Sequence, residues 1–243
     1  MFAGKNISKK YDERQIIENI NLEVAEGEIV ALLGISGIGK TTLFNILSGL
    51  ETPDSGSVLL KGKDITGVSG NVGYMQQKDL MLPYKKVIDN IALPLVIKKV
   101  PKQQAHDEVL RYAKVFGLTD AMYKYPHQLS GGMRQRSAFL RSFLFNSSVM
   151  LLDEPFSALD CITKGQIQAW FLDIVHTMNM TALLITHDID EAILIADKIY
   201  IMAGEPGQLT ECFDLTDIKI DKVDNFSTSD SFILKKREIL KVL

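Results

Sequence analysis

Cysteine is scarce in this chain: Cys161 and Cys212 are the only two among 243 residues. They show no metal-ligand spacing and no partner motif, which sets aside a disulfide scaffold or a zinc site. A reduced compartment, with packing roles for both thiols, is the expectation. Long apolar runs are missing as well. The longest, such as IALPLVI at residues 91–97, fall far short of the ~18 residues that a membrane helix needs. The opening MFAGKNISKKYDE has no apolar core of signal-peptide length, so cytoplasmic residence is the default expectation. Charge of one sign is not in excess either. The 27 basic and 30 acidic residues leave a net charge of −3, and the basic pairs Lys9–Lys10, Lys85–Lys86 and Lys98–Lys99 are scattered. No nucleic-acid partner is expected from such a surface.

What is present is ordinary for a globular protein: 46% apolar and 23% charged residues, enough chain to bury a substantial core with or without a subdomain. QIIENINLEV (15–24) reads as a strand or hairpin arm, and EIVALLG (28–34) as a strand buried on both faces. KTTLFNILSGL (40–50) has helical spacing and stops at Gly49 and Pro53. GSVLLKGKDIT (56–66) and NVGYMQQ (71–77) read as short strands. From about residue 78 to 147 the pattern turns helical. PKQQAHDEVLRYAKVFGL opens on Pro101, stops at Gly117, and lines one face with Ala105, Val109, Ala113 and Phe116. The helix after LSGGM carries Met133, Leu140 and Leu144 on one side. Two further buried strands, VMLL and TALLIT, flank the helical stretch TKGQIQAWFLDIVHTM, and KIYIMAGEPGQL reads as a closing hairpin. The expected class is α/β with a helical insertion.

Three apolar runs end in polar groups, and in open parallel sheets ligands bind at the carboxyl ends of strands. GISGIGKT (34–41) fits G-x-x-x-x-G-K-[ST] between a strand and a helix. Gly34, Gly37 and Gly39 let the backbone curl so that N–H groups face phosphates, and Ser36 lies in the same loop. Lys40 reaches the β and γ phosphates, the Thr41 hydroxyl can ligate Mg²⁺, and Thr42 adds a contact at the helix entrance. After VMLL, Asp153 is the second metal-site carboxylate, and Glu154 is the group to orient or deprotonate an attacking water. His187, at the end of TALLIT, is placed to reach the γ-phosphate or the water. His106, His127 and His176 are expected to pack. LSGGMRQR (129–136) is a second helix entrance suited to an anion, through Ser130, Gly131 and Gly132.

Taken together, GISGIGKTT, LSGGMRQR, LLDEPFSALD and THD resemble the ATP-binding cassette (ABC) ATPases, in that family's order, over about residues 1 to 210. The resemblance implies a P-loop core with a mixed or parallel sheet, an N-terminal antiparallel β subdomain and a helical subdomain. Residues 211–243 then form an extension, with DSFILKKREILKVL as an amphipathic helix turning Phe232, Ile233, Ile239 and Leu240 inward. It also implies that Tyr11 stacks on adenine, that Gln77 (or its neighbour Gln76) ligates Mg²⁺, and that Asp160 lies in the loop touching an opposite subunit. Ile35 and Ile38 depart from the usual proline and small residue of the loop.

In this family two cassettes meet head to tail, LSGGM of one covering the γ-phosphate held by the other. ATP and Mg²⁺ are thus the implied cofactors, and a second copy of the chain is the implied partner. One cassette, no heptad run and no basic excess favour ATP-driven transport over the alternative, a soluble ABC ATPase acting on ribosome or DNA. Membrane permease subunits on separate chains and a separate solute-binding protein are then implied, with the cassette peripheral at the cytoplasmic face of the membrane. LMLPYKKVIDNIALPL, YPHQLSGGMRQR and IMAGEPGQL look like the importer group for nitrate, sulfonates and taurine. Leu82, Pro83 and Tyr84 would help line the groove for the membrane subunit.

Overall fold

A computed structural model describes residues 1–146, 148–157, 159–219 and 226–243. Residue 147, the last of the expected helical segment, residue 158 in SALD, and 220–225 of the C-terminal extension lie outside the described residues. In chain order the elements are β1 (Phe2–Tyr11), β2 (Arg14–Val24), β3 (Ile29–Gly34), α1 (Lys40–Leu47), β4 (Ser55–Leu60), β5 (Lys63–Asp64), β6 (Gly73–Met75), α2 (Val87–Ile97), α3 (Lys102–Ala113) and α4 (Gly131–Phe145). Then follow β7 (Met150–Asp153), α5 (Cys161–Thr177), β8 (Ala182–Thr186), α6 (Ile189–Ile195), β9 (Lys198–Ala203), β10 (Gln208–Asp214), α7 (Thr216–Lys219) and α8 (Asp230–Leu240). They fall into two compact units, Met1–Asn71 with Thr181–Leu243, and Val72–Met180.

The first unit contains two sets of strands. An antiparallel sheet runs β2-β1-β4-β5, and a mixed set runs β10-β9-β3-β8. All six residues of β3 and all five of β8 are buried, as unbroken apolar runs require in a strand covered on both faces. β3 lies parallel between β8 and β9, pairing Leu33 with both Thr186 and Ile201, and β10 closes the expected hairpin on β9. The expected stop after α1 is a Schellman motif: Gly49 has φ +74°, its N–H donates to Ile46, and the Leu50 N–H donates to Asn45.

At its C-terminal end this unit carries α8, whose orientation corrects one expectation. Phe232 and Ile239 are buried, but Ile233 and Leu240 point outward. The helix touches α6 and the turn that precedes α8 itself, so the covered stripe is Phe232, Lys235, Lys236 and Ile239, the two lysines half-buried. Ile233 and Leu240, one position on from Phe232 and Ile239, are rotated about 100° away.

The second unit pairs β6 with β7 in parallel and packs α2, α3, α4 and α5 around an aromatic cluster. Tyr112, Phe116, Phe139, Phe143, Trp170 and Phe171 interlock mostly edge to face at 5.1–6.4 Å. The expected face of α3 is found, with Ala105, Val109, Ala113 and Phe116 buried. On α4 the expected face is shifted. Ser137, Ala138, Phe139, Leu140, Ser142 and Phe143 are buried, whereas Met133 and Leu144 are half-buried, because the helix meets α2, α5 and β6 rather than one neighbour. Buried Asn90 accepts from the Leu82 N–H and donates to the carbonyls of Leu82, Lys85 and Lys86, fixing the turn before α2 and leaving Tyr84 exposed.

The small polar packers also need correcting. Both cysteines are exposed. His176 is exposed in the last turn of α5, a position that favours a polar ring facing water. His127 is exposed but stacks on Tyr125, and His106 lies 3.0 Å from Asp89.

Candidate nucleotide-binding site

In the first unit the glycine loop leaves the C-terminal end of β3 and enters α1. Gly37 and Gly39 hold φ of +83° and +107°, a region that L side chains rarely adopt. At Gly34 the constraint is space: a Cβ there would stand 2.6 Å from the Met202 carbonyl oxygen. Lys40 is almost buried and donates 2.8 Å hydrogen bonds to the carbonyls of Gly34 and Ile35, so its side chain ties the loop across its own mouth. Gly39 stands at the cap of α1, where no side chain caps the first turn. That is the arrangement that holds an anion on backbone N–H groups. Ile38 is buried and Ile35 exposed, so the two departures from the usual loop residues face opposite environments.

Tyr11 ends β1 with its ring partly exposed. Its hydroxyl donates to Glu51 Oε2 at 2.6 Å and also bonds the Thr42 side chain, which brings the ring beside the helix entrance. Burial and then the Glu51 partner raise its phenol above the ordinary value. A cavity of about 970 Å³ opens beside the loop, bordered by Arg14, Ile16, Ser36, Gly37, Gly204 and Leu243. His187 follows β8 directly. Because Leu33 pairs with Thr186, Gly34 and His187 leave neighbouring parallel strands at one level. Thr186 Oγ1 accepts the Asp188 N–H, and Asp188 Oδ1 accepts the N–H groups of Asp190 and Glu191, so the histidine sits between a strand end and a capped helix.

In the second unit the two carboxylates stand at the end of β7, Asp153 as its last residue and Glu154 next. Asp153 is buried, with the Tyr74 hydroxyl 3.5 Å from its Oδ2. Burial first, and then that negative charge, push the Tyr74 phenol far up. Glu154 has φ +46°, an uncommon backbone for a glutamate and the kind of local strain that collects at functional sites. Its Oε2 accepts from Gln77 Nε2 at 2.8 Å. Of the two neighbouring glutamines, Gln77 is thus the one with a hydrogen bond to this carboxylate.

LSGGM forms the entrance to α4. Ser130 is the N-cap, and its Oγ accepts the Met133 N–H at 3.3 Å. Asp160 caps α5 in the same way, accepting the Thr163 N–H at 3.1 Å. A cavity of about 340 Å³ lies between the two caps, lined by Ser130, Gly131, Gly132, Asp160 and Thr163 among others. Arg136 stands over the Trp170 ring at 5.0 Å, and burial lowers its guanidinium pKa.

Within the first unit the structure therefore gathers Tyr11, Ser36, Lys40, Thr41, Thr42 and His187 at one end of the strands. Within the second Gln77 hydrogen-bonds Glu154, and Ser130 and Asp160 line one cavity. Glu51, Tyr74 and Asp188 escape a sequence reading. Their signals are only that Tyr74 lies three residues before Gln77 and that Asp188 has the residue type and place of an N-cap.

A glycine loop between a buried parallel strand and a helix, with an acidic pair ending another buried strand, defines a P-loop nucleotide-binding protein of the α/β class. The family model described as ABC transporter matches residues 17–157, and the chain belongs to that family. It has the ABC ATPase fold, binds ATP, and is an ATPase of the transport-coupled kind. Among relatives, the formylaminopyrimidine import ATP-binding protein ThiZ of Halalkalibacterium halodurans is 41% identical over 79% of this chain and 74% of its own. The sulfate/thiosulfate import ATP-binding protein CysA of Pseudomonas syringae is 39% identical over 85% of this chain and 68% of its own. A solved dimeric ATP-binding cassette in a post-hydrolysis state, bound to ADP and Pi, superposes with TM-score 0.75 at 28% identity, covering 88% of this chain and 99% of that one.

Proposed function

We propose that two copies of this chain form an ATP-dependent head-to-tail pair that drives a solute importer. Each glycine loop binds the triphosphate of one ATP from below, and Ser130, Gly131 and Gly132 of the other copy close it from above. The observation that carries this reading is that two anion-holding helix entrances are built on one chain, in separate units. Charge-assisted hydrogen bonds contribute roughly 1.5–3 kcal/mol each, enough for a few of them to make pairing depend on the γ-phosphate. The solved dimeric cassette supports pairing in a relative.

The roles follow from the chemistry. Tyr11 offers a ring for the base. Gly34, Ser36, Gly37, Gly39 and Thr42 shape and complete the phosphate cradle, and Lys40 moves its ammonium from loop carbonyls to phosphate oxygens. Thr41, Gln77 and Asp153 supply a hydroxyl, an amide and a carboxylate, the hard oxygen donors that suit Mg²⁺. That ion would neutralise charge on the phosphates. Glu154 accepts a proton from the attacking water, and His187 donates a hydrogen bond to the γ-phosphate. Asp160 sits in the loop that meets the partner copy. Transfer of this kind depends mainly on positioning and charge stabilisation.

Transport requires partners. Among the described residues no helix is long and apolar enough to cross a membrane, and we assign the crossing to separate permease subunits, with this chain at the cytoplasmic face. The cassette relatives named for formylaminopyrimidine and for sulfate/thiosulfate support an importer and show one kind of cassette beside dissimilar solutes. Within that range we favour the nitrate, sulfonate and taurine group, delivered by a separate solute-binding protein. Exposed Tyr84, beside Leu82 and Pro83, would face the permease.

The Glu154→Gln variant tests the reading. It should bind ATP, stall before hydrolysis and accumulate pairs on gel filtration with ATP; monomer alone at saturating ATP contradicts it.

A further inference from the structure

Outside the residues that bind or react, α8 makes one polar contact that bears on the site. Lys236 Nζ lies 2.6 Å from Asp190 Oδ1 and 2.8 Å from Oδ2, so one ammonium closes both oxygens of a single carboxylate. Asp190 is in the first turn of α6, three residues after His187 and two after the capping Asp188. α6 is only seven residues long, too short to hold its shape without tertiary contacts. Its first turn carries Asp190 and Glu191 beside the Asp188 cap, three carboxylates within four residues. Lys236, from another element, brings a cation to this group.

α8 is itself anchored. Ser229 caps it, Phe232 and Ile239 are buried, Phe226 packs edge to face on Phe232 at 5.5 Å, and the helix lies against α6. Beyond its last turn Leu243 borders the cavity beside Ile35–Ile38. The helix thus packs on the one that follows His187, and the chain just beyond it lines the same cavity as the phosphate loop. Residues 17–157 contain the family match, so α8 lies outside it.

We propose that Lys236 is a positioning residue for His187: its ion pair with Asp190 fixes the first turn of α6 and thereby the direction in which the preceding histidine points. This rests on the reading that His187 acts on the γ-phosphate. A half-exposed ion pair contributes little to global stability, so its loss should show in turnover and not in melting. Misplacing a reacting contact is costly even at small distances.

The test uses the full chain and compares Lys236→Ala, Lys236→Arg, Asp190→Lys, Lys236→Asp and the charge-swapped double variant with His187→Ala. Lys236→Ala should lower kcat about tenfold, with KM for ATP within about twofold and melting nearly unchanged. Lys236→Arg should keep most activity, and the swapped pair should recover most of what either swap loses alone. Undiminished kcat in Lys236→Ala, while His187→Ala is inactive, overturns the proposal and leaves the function standing. A parallel fall in melting and kcat that neither arginine nor the swapped pair rescues marks a purely structural contact and also overturns it. Full activity in His187→Ala instead removes the histidine's assigned role, a distinct failure.

Discussion

The two glycine-bearing helix entrances, one in each unit, are built by different means. The glycine loop is set by backbone and space: left-handed φ at Gly37 and Gly39, a would-be Cβ at Gly39 only 2.5 Å from the Ile17 side chain, and the Met202 carbonyl against Gly34. The LSGGM entrance is set by a side chain. Ser130 caps α4, and Cβ atoms at Gly131 and Gly132 would meet flexible side chains at 3.3 and 3.1 Å, with neither glycine at positive φ. A loop that must stay shaped without its ligand is rigidified by packing. In the proposed pair, a loop that closes a ligand held by the other copy needs only an ordered helix entrance.

Substitutions sharpen this contrast. The largest effect is expected from Lys40→Ala, which removes the loop tie and the phosphate contact together; ATP affinity should fall about a hundredfold, read by nucleotide titration. Gly39→Ala comes next, costing about 1–3 kcal/mol of folding stability in urea, since it forces both φ and a contact. Gly131→Ala should cost less than about 1 kcal/mol, because alanine's helix preference offsets a tight but movable neighbour. If the two alanine variants were equally destabilised, the contrast between the loops would be lost.

Tyr11→Phe keeps the ring and removes the bonds to Glu51 and Thr42; ATP should bind weaker by about 0.5–1.5 kcal/mol. The smallest effect concerns acid. The Asp160 carboxyl is held below its ordinary value by the Thr163 side chain and backbone N–H. A depressed pKa contributes stability that is complete above the ordinary carboxylate range and lost as pH falls through the lowered value. Asp160→Asn keeps a capping oxygen and should flatten that part of the acid melting profile.

Much of this was legible in the sequence because local chemistry dictates it. The apolar runs of β3, β7 and β8 had to be buried, Gly49 had to end α1, and Gly37 and Gly39 hold φ values that glycine takes without strain. The candidate site residues stand at strand ends and helix entrances because their motifs have that local form. Long-range features were not legible. The aromatic cluster joins residues from 112 to 171, and no periodicity within one helix announces it. The half-turned face of α8 depends on which stripe α6 covers. The left-handed Glu154 follows from the turn after β7, in which Ser157 bonds back to its carbonyl; residue type alone argues against it.

The most direct measurement mixes two inactive variants, Lys40→Ala and Ser130→Arg. A mixed pair that shares its sites holds one site with intact glycine loop and intact LSGGM, so ATPase activity should return on mixing, in proportion to mixed pairs formed. Mixed pairs that demonstrably assemble and never hydrolyse ATP would contradict the shared site.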